Sequence, residues 1–315
     1  MPAAKVYVLS GGRLLPLAGG PAIIPPTAGS GNGGTPGGGD PGTGNRNAML
    51  VGAAGTSLSG SDFPALDQAA GPFTVRRSYD TALPATFAAS VAGIDVNKRA
   101  SVWSCKPDLG QLAAGTLDSA IRAFVQSIPD THVCWLTCWH EPDGKIRKSQ
   151  FTLAQYLPAF RRFCQVVKSV GKAHVYTTQI LEAWSGQQPK AGSTYSDLWP
   201  GAGYVDCYGV DGYSNTGSGS TLWKPAVDFA TSKGIPWGIA EVGCATTADT
   251  AWMQAQADYA GATSAGGGRS RAAYFCWFSN STGGVLPTPG SDPSMQAKAK
   301  TISQAYFTDV NAYLL

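Results

Sequence analysis

Residues 132–144 read HVCWLTCWHEPDG. An apolar, β-rich run ends on an acidic residue, Glu141, and a Pro-Asp-Gly turn follows. A short apolar run closed by such a turn has the pattern of a buried strand. Residues 236–243, PWGIAEVG, repeat the arrangement around Glu241. Six more runs of the same kind flank these two: AMLVGAAG (48–55), FTVRRSYD (73–80), RASVWSC (99–105), HVYTTQI (174–180), YVDCYGVDGY (204–213) and AAYFCWFS (272–279). The centres of the eight runs are spaced by roughly 25–40 residues, the length of one strand plus one helix.

Helical periodicity fills several gaps. Thr116–Ile128 places Leu117, Ile121, Phe124 and Ile128 on one face, with Thr116 as the expected N-cap. Thr152–Val170 aligns Leu153, Tyr156, Phe160, Phe163 and Val167, with Gly171 as C-cap. Pro158 within that segment predicts a kink or an early end. Residues 222–233, 249–262 and 294–308 also read as helices. Alternating strands and helices predict an α/β fold with a parallel sheet. Eight repeats favour a closed (β/α)8 TIM barrel of ~250 residues over an open doubly wound sheet. No G-x-G-x-x-G follows the first strand, which speaks against a dinucleotide fold.

Two shorter parts precede the barrel, assigned to residues 47–315. Residues 5–24, KVYVLSGGRLLPLAGGPAII, read as two short strands around a Gly-Gly turn, within an anchoring segment 1–27. A lone hairpin is marginal in water, so this piece is expected to dock or self-associate. Residues 28–46, AGSGNGGTPGGGDPGTGNR, are a Gly-rich linker that cannot build a core.

Bulk composition excludes several classes. Charged residues make up 14% of the chain and the net charge is +3. No Lys/Arg block is present, so no nucleic-acid partner is expected. No apolar run approaches the ~18–20 residues of a membrane span, so membrane insertion is not expected either. The N-terminal stretch, broken at Gly11-Gly12-Arg13, does not read as a secretory signal. The seven Cys lack C-x2-C spacing, and their odd number argues against a disulfide framework. They read as small buried apolar residues. No metal or organic cofactor is expected.

The chemistry is expected where Glu141 and Glu241 end the fourth and seventh barrel strands, because barrel active sites lie at the C-terminal strand ends. Two such carboxyls suit a retaining glycosidase: Glu141 as general acid/base and Glu241 as nucleophile, ~5–5.5 Å apart. The acid needs a raised pKa, which Trp135 and Trp139 would supply by excluding water. The nucleophile must stay ionised, and Arg77 and Tyr213 are the candidates for holding it so. Arg77 is preferred to Arg76 because it shares strand parity with Tyr79 near the mouth. Trp103, Trp139, Trp184, Trp277, Tyr79, Tyr208 and Tyr213 lie at or near strand ends, where aromatic planes would meet sugar C–H faces. Gln179, Asp80 and Asp211 would bind hydroxyls. His140 is the one histidine placed for function; His132 and His174 open strands at the opposite end. With no Ser or Cys partner for it, a hydrolase triad is not indicated.

Trp-His-Glu-Pro-Asp-Gly at the fourth strand and Ala-Glu-Val-Gly at the seventh resemble clan A glycoside hydrolases. The His before the acid/base Glu is similar to glycoside hydrolase family 26, the mannanase and lichenase group. That resemblance implies Glu141 as acid/base, Glu241 as nucleophile and His140 beside the acid/base. It also implies Tyr213, in Gly209-Val-Asp-Gly-Tyr213, as hydrogen-bond donor to the nucleophile and Trp277 as the floor of the subsite for the cleaved sugar. Pro142 departs from family 26 and matches the wider clan.

The hairpin, Gly-rich tether and barrel together resemble, in layout and composition, minor tail proteins of bacteriophages infecting actinobacteria. This resemblance implies a polysaccharide partner on a host surface, attachment to a larger assembly through residues 1–27, and a place on a virion tail or outside the cell. The expected activity is thus endo-acting, retaining cleavage of a polysaccharide. A catalytically inactive carbohydrate-binding barrel and a purely structural tail protein stay open as alternatives.

Overall fold

The computed structural model describes residues 7–10, 13–16, 49–55, 62–95, 99–244, 249–262, 270–278, 293–308 and 310. Two compact units divide the chain, Met1–Thr35 and Pro36–Leu315. In the first, β1 (Tyr7–Ser10) and β2 (Arg13–Pro16) pair antiparallel across Gly11-Gly12, with Ser10 opposite Arg13. The Gly-rich stretch 28–46 lies outside the described residues.

The second unit is a closed barrel of eight parallel strands, β3 (Leu50–Ala54), β4 (Val75–Tyr79), β5 (Ala100–Cys105), β6 (Cys134–Cys138), β7 (Val175–Glu182), β8 (Cys207–Tyr213), β9 (Trp237–Gly243) and β10 (Tyr274–Phe278). Each strand pairs with its sequence neighbour, and β10 closes on β3 with Tyr274 opposite Leu50. All eight apolar runs read from the sequence are strands. Gly52 is forced by close approach: a Cβ there would lie 1.7 Å from the Val75 carbonyl oxygen.

The helices that cover the barrel are α1 (Phe63–Ala70), α2 (Leu109–Ala114), α3 (Asp118–Gln126), α4 (Pro142–Arg147), α5 (Leu153–Ser169), α6 (Ala183–Gln187), α7 (Tyr195–Leu198), α8 (Gly219–Ser232), α9 (Thr250–Gly261) and α10 (Pro293–Ala305). Two 3-10 turns, Phe87–Ala89 and Val91–Asp95, stand between β4 and β5. Two expectations need correction. Helix α3 begins at Asp118 and not at Thr116, whose hydroxyl instead donates to the carbonyl of Gln111 within α2. Helix α5 does not end at Pro158 but continues to Ser169. Its start is fixed by the Thr152–Gln155 capping box. Beyond Pro158 it buries Ala159, Phe160, Phe163, Cys164, Val166 and Val167. At roughly 1.5–3 kcal/mol per large apolar side chain, that burial exceeds the ~3 kcal/mol cost of an internal proline.

Strand alternation separates two cores. Trp103, Leu136, Tyr208, Val210, Ile239, Phe275 and Trp277 point outward into the layer between barrel and helices. Leu50, Val75, Val102, Trp135, Ile180, Cys207, Tyr274 and Cys276 fill the barrel interior. Tyr274 plugs it. Its ring stands edge-on to Trp135 at 5.0 Å, and its hydroxyl lies 2.9 Å from Thr178 Oγ1. Glycines make room for that ring: a Cβ at Gly238 would lie 2.6 Å from it, and one at Gly209 would lie 2.9 Å from its oxygen. All seven cysteines are buried as free thiols.

Candidate active site

Glu241 is aimed by an irregularity in β9. Ile239 pairs with Val210 but Glu241 pairs with Asp211, so one extra residue is inserted at Ala240. Trp237, Ile239 and Val242 lie in the outer core, while Ala240 lies in the inner one. The bulge shifts parity by one residue and turns Glu241 inward, a common use of bulges beside active sites.

Glu141 reaches the same point by a different route. Trp139 and Glu141 both hold left-handed backbone, with φ of 55° and 52°. Each such non-glycine residue costs of order 1 kcal/mol, and strain of this kind gathers at functional sites. The turn is held by the Trp139 amide donating to Cys105 O at 2.8 Å and the Glu141 amide donating to Ile180 O at 2.9 Å. Pro142 then opens α4 at its first position.

One carboxylate oxygen from each of Glu141, Glu241 and Asp211 lies within 4.8 Å of the other two. Glu241 is firmly held. Tyr79 Oη donates to its Oε1 at 2.7 Å, Tyr213 Oη to its Oε2 at 2.7 Å, and Arg77 Nη2 lies 3.4 Å from Oε1. Arg77 is buried, stacks on the Tyr79 ring with its guanidinium carbon 4.1 Å from the centroid, and donates to Ser104 Oγ at 3.0 Å. Burial opposes its charge, but Tyr79, Glu241 and Asp211 outweigh that and leave its pKa raised.

Glu141 lacks a counter-ion of that kind. Burial, then the nearby charges of Glu241, Glu182 and Asp143, push its pKa from 4.5 up to about 8, with Lys145 opposing. The pair therefore divides into a carboxyl that keeps its proton near neutral pH and a carboxylate tied to three donors. Asp211 is fully enclosed, neither oxygen has a hydrogen-bond partner, and burial followed by Glu241 and Glu141 raises its pKa far above the usual range. His140 is shifted toward its neutral form: burial and then Arg77, Lys106 and Lys145 lower its pKa well below 6.5. Its Nδ1 lies 3.0 Å from Ser104 Oγ.

Three clustered carboxyls also have the donor chemistry of a cation site. Here, both Glu241 oxygens already accept hydrogen bonds and Arg77 supplies the positive charge, so an ion at the cluster would have to compete with those donors.

The cleft above these groups has a volume of about 310 Å³ and is lined by Tyr79, Asp80, Thr81, Lys106, His140, Glu141, Tyr213, Glu241 and Phe278. Of the residues singled out in the sequence, Tyr79, Asp80, His140, Glu141, Tyr213 and Glu241 line it, and Arg77 and Asp211 lie against them. Trp135 is buried in the barrel interior, Tyr208 in the outer layer, and Trp184 stands outside the cleft. Four more do not reach it. Trp277 faces outward and is buried in the helical layer, while its neighbour Phe278 takes the cleft position. Trp103 likewise points outward and stacks on Phe124 at 4.6 Å. Its indole N–H holds Asp80 Oδ2, so it touches the cleft only through that residue. Gln179 is buried and donates to Leu198 O at 2.8 Å. Trp139 donates to Pro107 O at 2.6 Å and packs edge-on against Phe151. Parity explains the two misplaced strand tryptophans: β5 directs 102 and 104 inward, and β10 directs 274, 276 and 278 inward.

The structure also adds Lys106, Thr81 and Phe278, which follow or end strands and carried no motif. It brings in Glu182 at the end of β7 as well. The whole chain contains three glutamates, Glu141, Glu182 and Glu241, and all three stand at the C-terminal rim of the barrel. That scarcity was a readable signal.

No protein-family model and no curated protein matches the sequence. Solved structures do. A modular endo-β-1,4-mannanase of glycoside hydrolase family 26 from Cellulomonas fimi superposes with a TM-score of 0.57 at 14% identity, covering 81% of this chain and 71% of that one. A family 26 β-mannanase from Bacteroides ovatus gives 0.56 at 14% identity, covering 85% and 91%. A glucosidase from Croceicoccus marinus gives 0.58 at 13%, covering 83% and 68%. The chain thus shares its (β/α)8 fold with family 26 mannanases and other glycosidases.

Proposed function

We propose that this protein is a retaining glycoside hydrolase that cuts within a polysaccharide, with Glu141 as acid/base and Glu241 as nucleophile. The observation that supports this most is the spacing of the two carboxyls. An oxygen of each lies within 4.8 Å of the other at an open cleft, a close approach that fits the ~5–5.5 Å of retaining enzymes better than the ~6.5–9.5 Å of inverting ones.

In this reading Glu241 attacks the anomeric carbon while Glu141 gives its proton to the departing glycosidic oxygen. Arg77, Tyr79 and Tyr213 hold the Glu241 carboxylate in place by one ion pair and two hydrogen bonds. Once Glu241 is esterified it no longer carries charge, so the second largest cause of the high Glu141 pKa disappears. Glu141 is then more acidic. As a carboxylate it takes a proton from the water that attacks the anomeric carbon and frees Glu241. The finer reading is that residues 1–27 attach the barrel to a larger assembly such as a phage tail, and that the glycan belongs to a host surface.

The test is release of reducing ends from a panel of mannans, other β-glycans, arabinans and galactans by the full chain, Glu141→Gln and Glu241→Gln. The expected result is release by the parent only. Equal release, or none, from every glycan with all three proteins refutes the hydrolase and leaves a binding or structural barrel. NMR of the first-formed anomer checks the mechanism, because net inversion contradicts the assigned geometry.

A further inference from the structure

A second groove opens at the same rim of the barrel, beside the cleft. It has a volume of about 590 Å³, and Arg147, Glu182, Trp184 and Asn215 are among its walls. The two share no lining residue but are tied through one turn. Asn215 and Thr216 follow Tyr213, a cleft residue, after Ser214, and the Thr216 hydroxyl donates to the Tyr213 carbonyl at 2.7 Å. Glu182 pairs in register with Asp211, one oxygen of which lies within 4.8 Å of both candidate catalytic carboxyls.

The groove is built around one tryptophan. Trp184 is 38% exposed, one of three large apolar side chains so exposed among the described residues. The Arg147 guanidinium covers one of its faces, 4.6 Å from the ring centroid. Arg147 is itself anchored, by ion-pair contact with Glu182 and with the buried Asp143, and by donation to Ser185. Three elements meet in this network: α4, the end of β7 and α6. The indole thus stands on a braced base, a rigid plane at low entropic cost.

Around the plane stand side chains with unused hydrogen-bonding capacity. The Trp184 indole N–H and the amides of Gln188 and Asn215 have no hydrogen-bond partner among the described residues, and both amides are exposed. An aromatic plane ringed by neutral donors and acceptors fits a sugar ring, whose C–H face is apolar and whose edge carries hydroxyls. Charge selects further. The groove's one cation, Arg147, is already paired with Glu182, so no free positive charge is offered to a carboxylated or sulfated sugar.

We infer that the Trp184 groove is an accessory subsite for an uncharged glycan, binding sugar units of the polymer beyond the one held at Glu141 and Glu241. This rests on the hydrolase reading and deepens it. The substrate is a neutral polysaccharide, gripped at two places along one chain.

The test uses the full chain carrying Glu241→Gln, so that glycans stay uncut, run in gels containing galactomannan, glucomannan, mixed-linkage β-glucan, arabinan, arabinogalactan or polygalacturonate. Retardation by at least one neutral glycan is expected. Adding Trp184→Ala should weaken that binding by about tenfold, the loss of roughly one aromatic platform, whereas Trp184→Phe retains most of it. Asn215→Ala, a change at an exposed position of the 3-10 turn Ser214–Thr216, should weaken it about two- to threefold and guards against misfolding of the Trp184 variant. The inference is overturned if Trp184→Ala and Asn215→Ala bind as the parent does, if no neutral glycan retards it, or if polygalacturonate binds best. Failure of the hydrolase reading is separate: a glycan held through Trp184 but never cut by the wild-type chain refutes catalysis and leaves the groove intact.

Discussion

Replacing Glu241 by Gln removes the charge that weighs most, after burial, on the Glu141 carboxyl. Their oxygens lie within 4.8 Å. At that separation two unit charges repel by about 3.5 kcal/mol at an effective dielectric of 20 and about 0.9 kcal/mol in bulk water. At 1.36 kcal/mol per pKa unit, the change is a fall of roughly 0.6–2.5 units in the Glu141 pKa. Arg77, released from Glu241, pushes in the same direction. Burial, the largest cause, persists, so Glu141 should titrate below about 8 and still above its ordinary 4.5. The assay is a pH titration by NMR with 13C-labelled glutamate carboxyls. The chain has three glutamates, so three resonances appear, and Glu182→Gln assigns the remaining one. Coincident Glu141 titrations in the parent and Glu241→Gln would refute the coupling. An ordinary pKa in the parent would refute the burial on which the acid role depends.

Glu141→Gln should stabilise the protein at pH 8 while leaving it unchanged near pH 4. Because the folded carboxyl titrates at about 8 and the unfolded one near 4.5, the folded state binds the proton more tightly. Parental stability is therefore full below pH 4.5 and falls by a few kcal/mol as pH rises to 8, a slope that the neutral amide lacks; thermal melts at both pH values measure it. Tyr79→Phe and Tyr213→Phe each remove a 2.7 Å donor to Glu241 and should lower kcat by roughly 10- to 150-fold, from about 1.5–3 kcal/mol per charged hydrogen bond. Unchanged turnover would remove those phenols from the mechanism. Arg77→Met leaves Glu241 buried without its cation and should cost about 3–5 kcal/mol in denaturant unfolding at pH 7, with little loss as the exception that would contradict the ion pair. Gly52→Ala places a Cβ 1.7 Å from the Val75 carbonyl oxygen, and should drive the barrel seam between β3 and β4 apart, read as a fall in melting temperature.

All eight strands and the two key glutamates were legible because strands ending on an acid before a Gly or Pro turn leave a local pattern. The direction of a side chain was less so. Strict alternation along β9 would put Glu241 on the outward side with Trp237 and Ile239, and only the extra residue at Ala240 reverses it. Nothing in WGIAEVG marks that insertion, which depends on pairing with β8. The opposite error befell Trp103 and Trp277. Each is an aromatic near a strand end, but their parity belongs to the helical layer, where a tryptophan packs against helices. Arg77 was placed correctly because Tyr79 two residues on shares its side. The left-handed turns at Trp139 and Glu141 left no trace either, since no glycine occupies them.

Tyr274, wedged over Gly209 and Gly238 against Trp135, gives the barrel a sealed base. Among the described residues, the carboxyls above it open on the cleft at the opposite rim. In the proposed reaction, a long polymer lying across that mouth would crowd the departing fragment, the incoming water and the proton that resets Glu141. Slower release from long chains than from short ones is the consequence expected of such a layout.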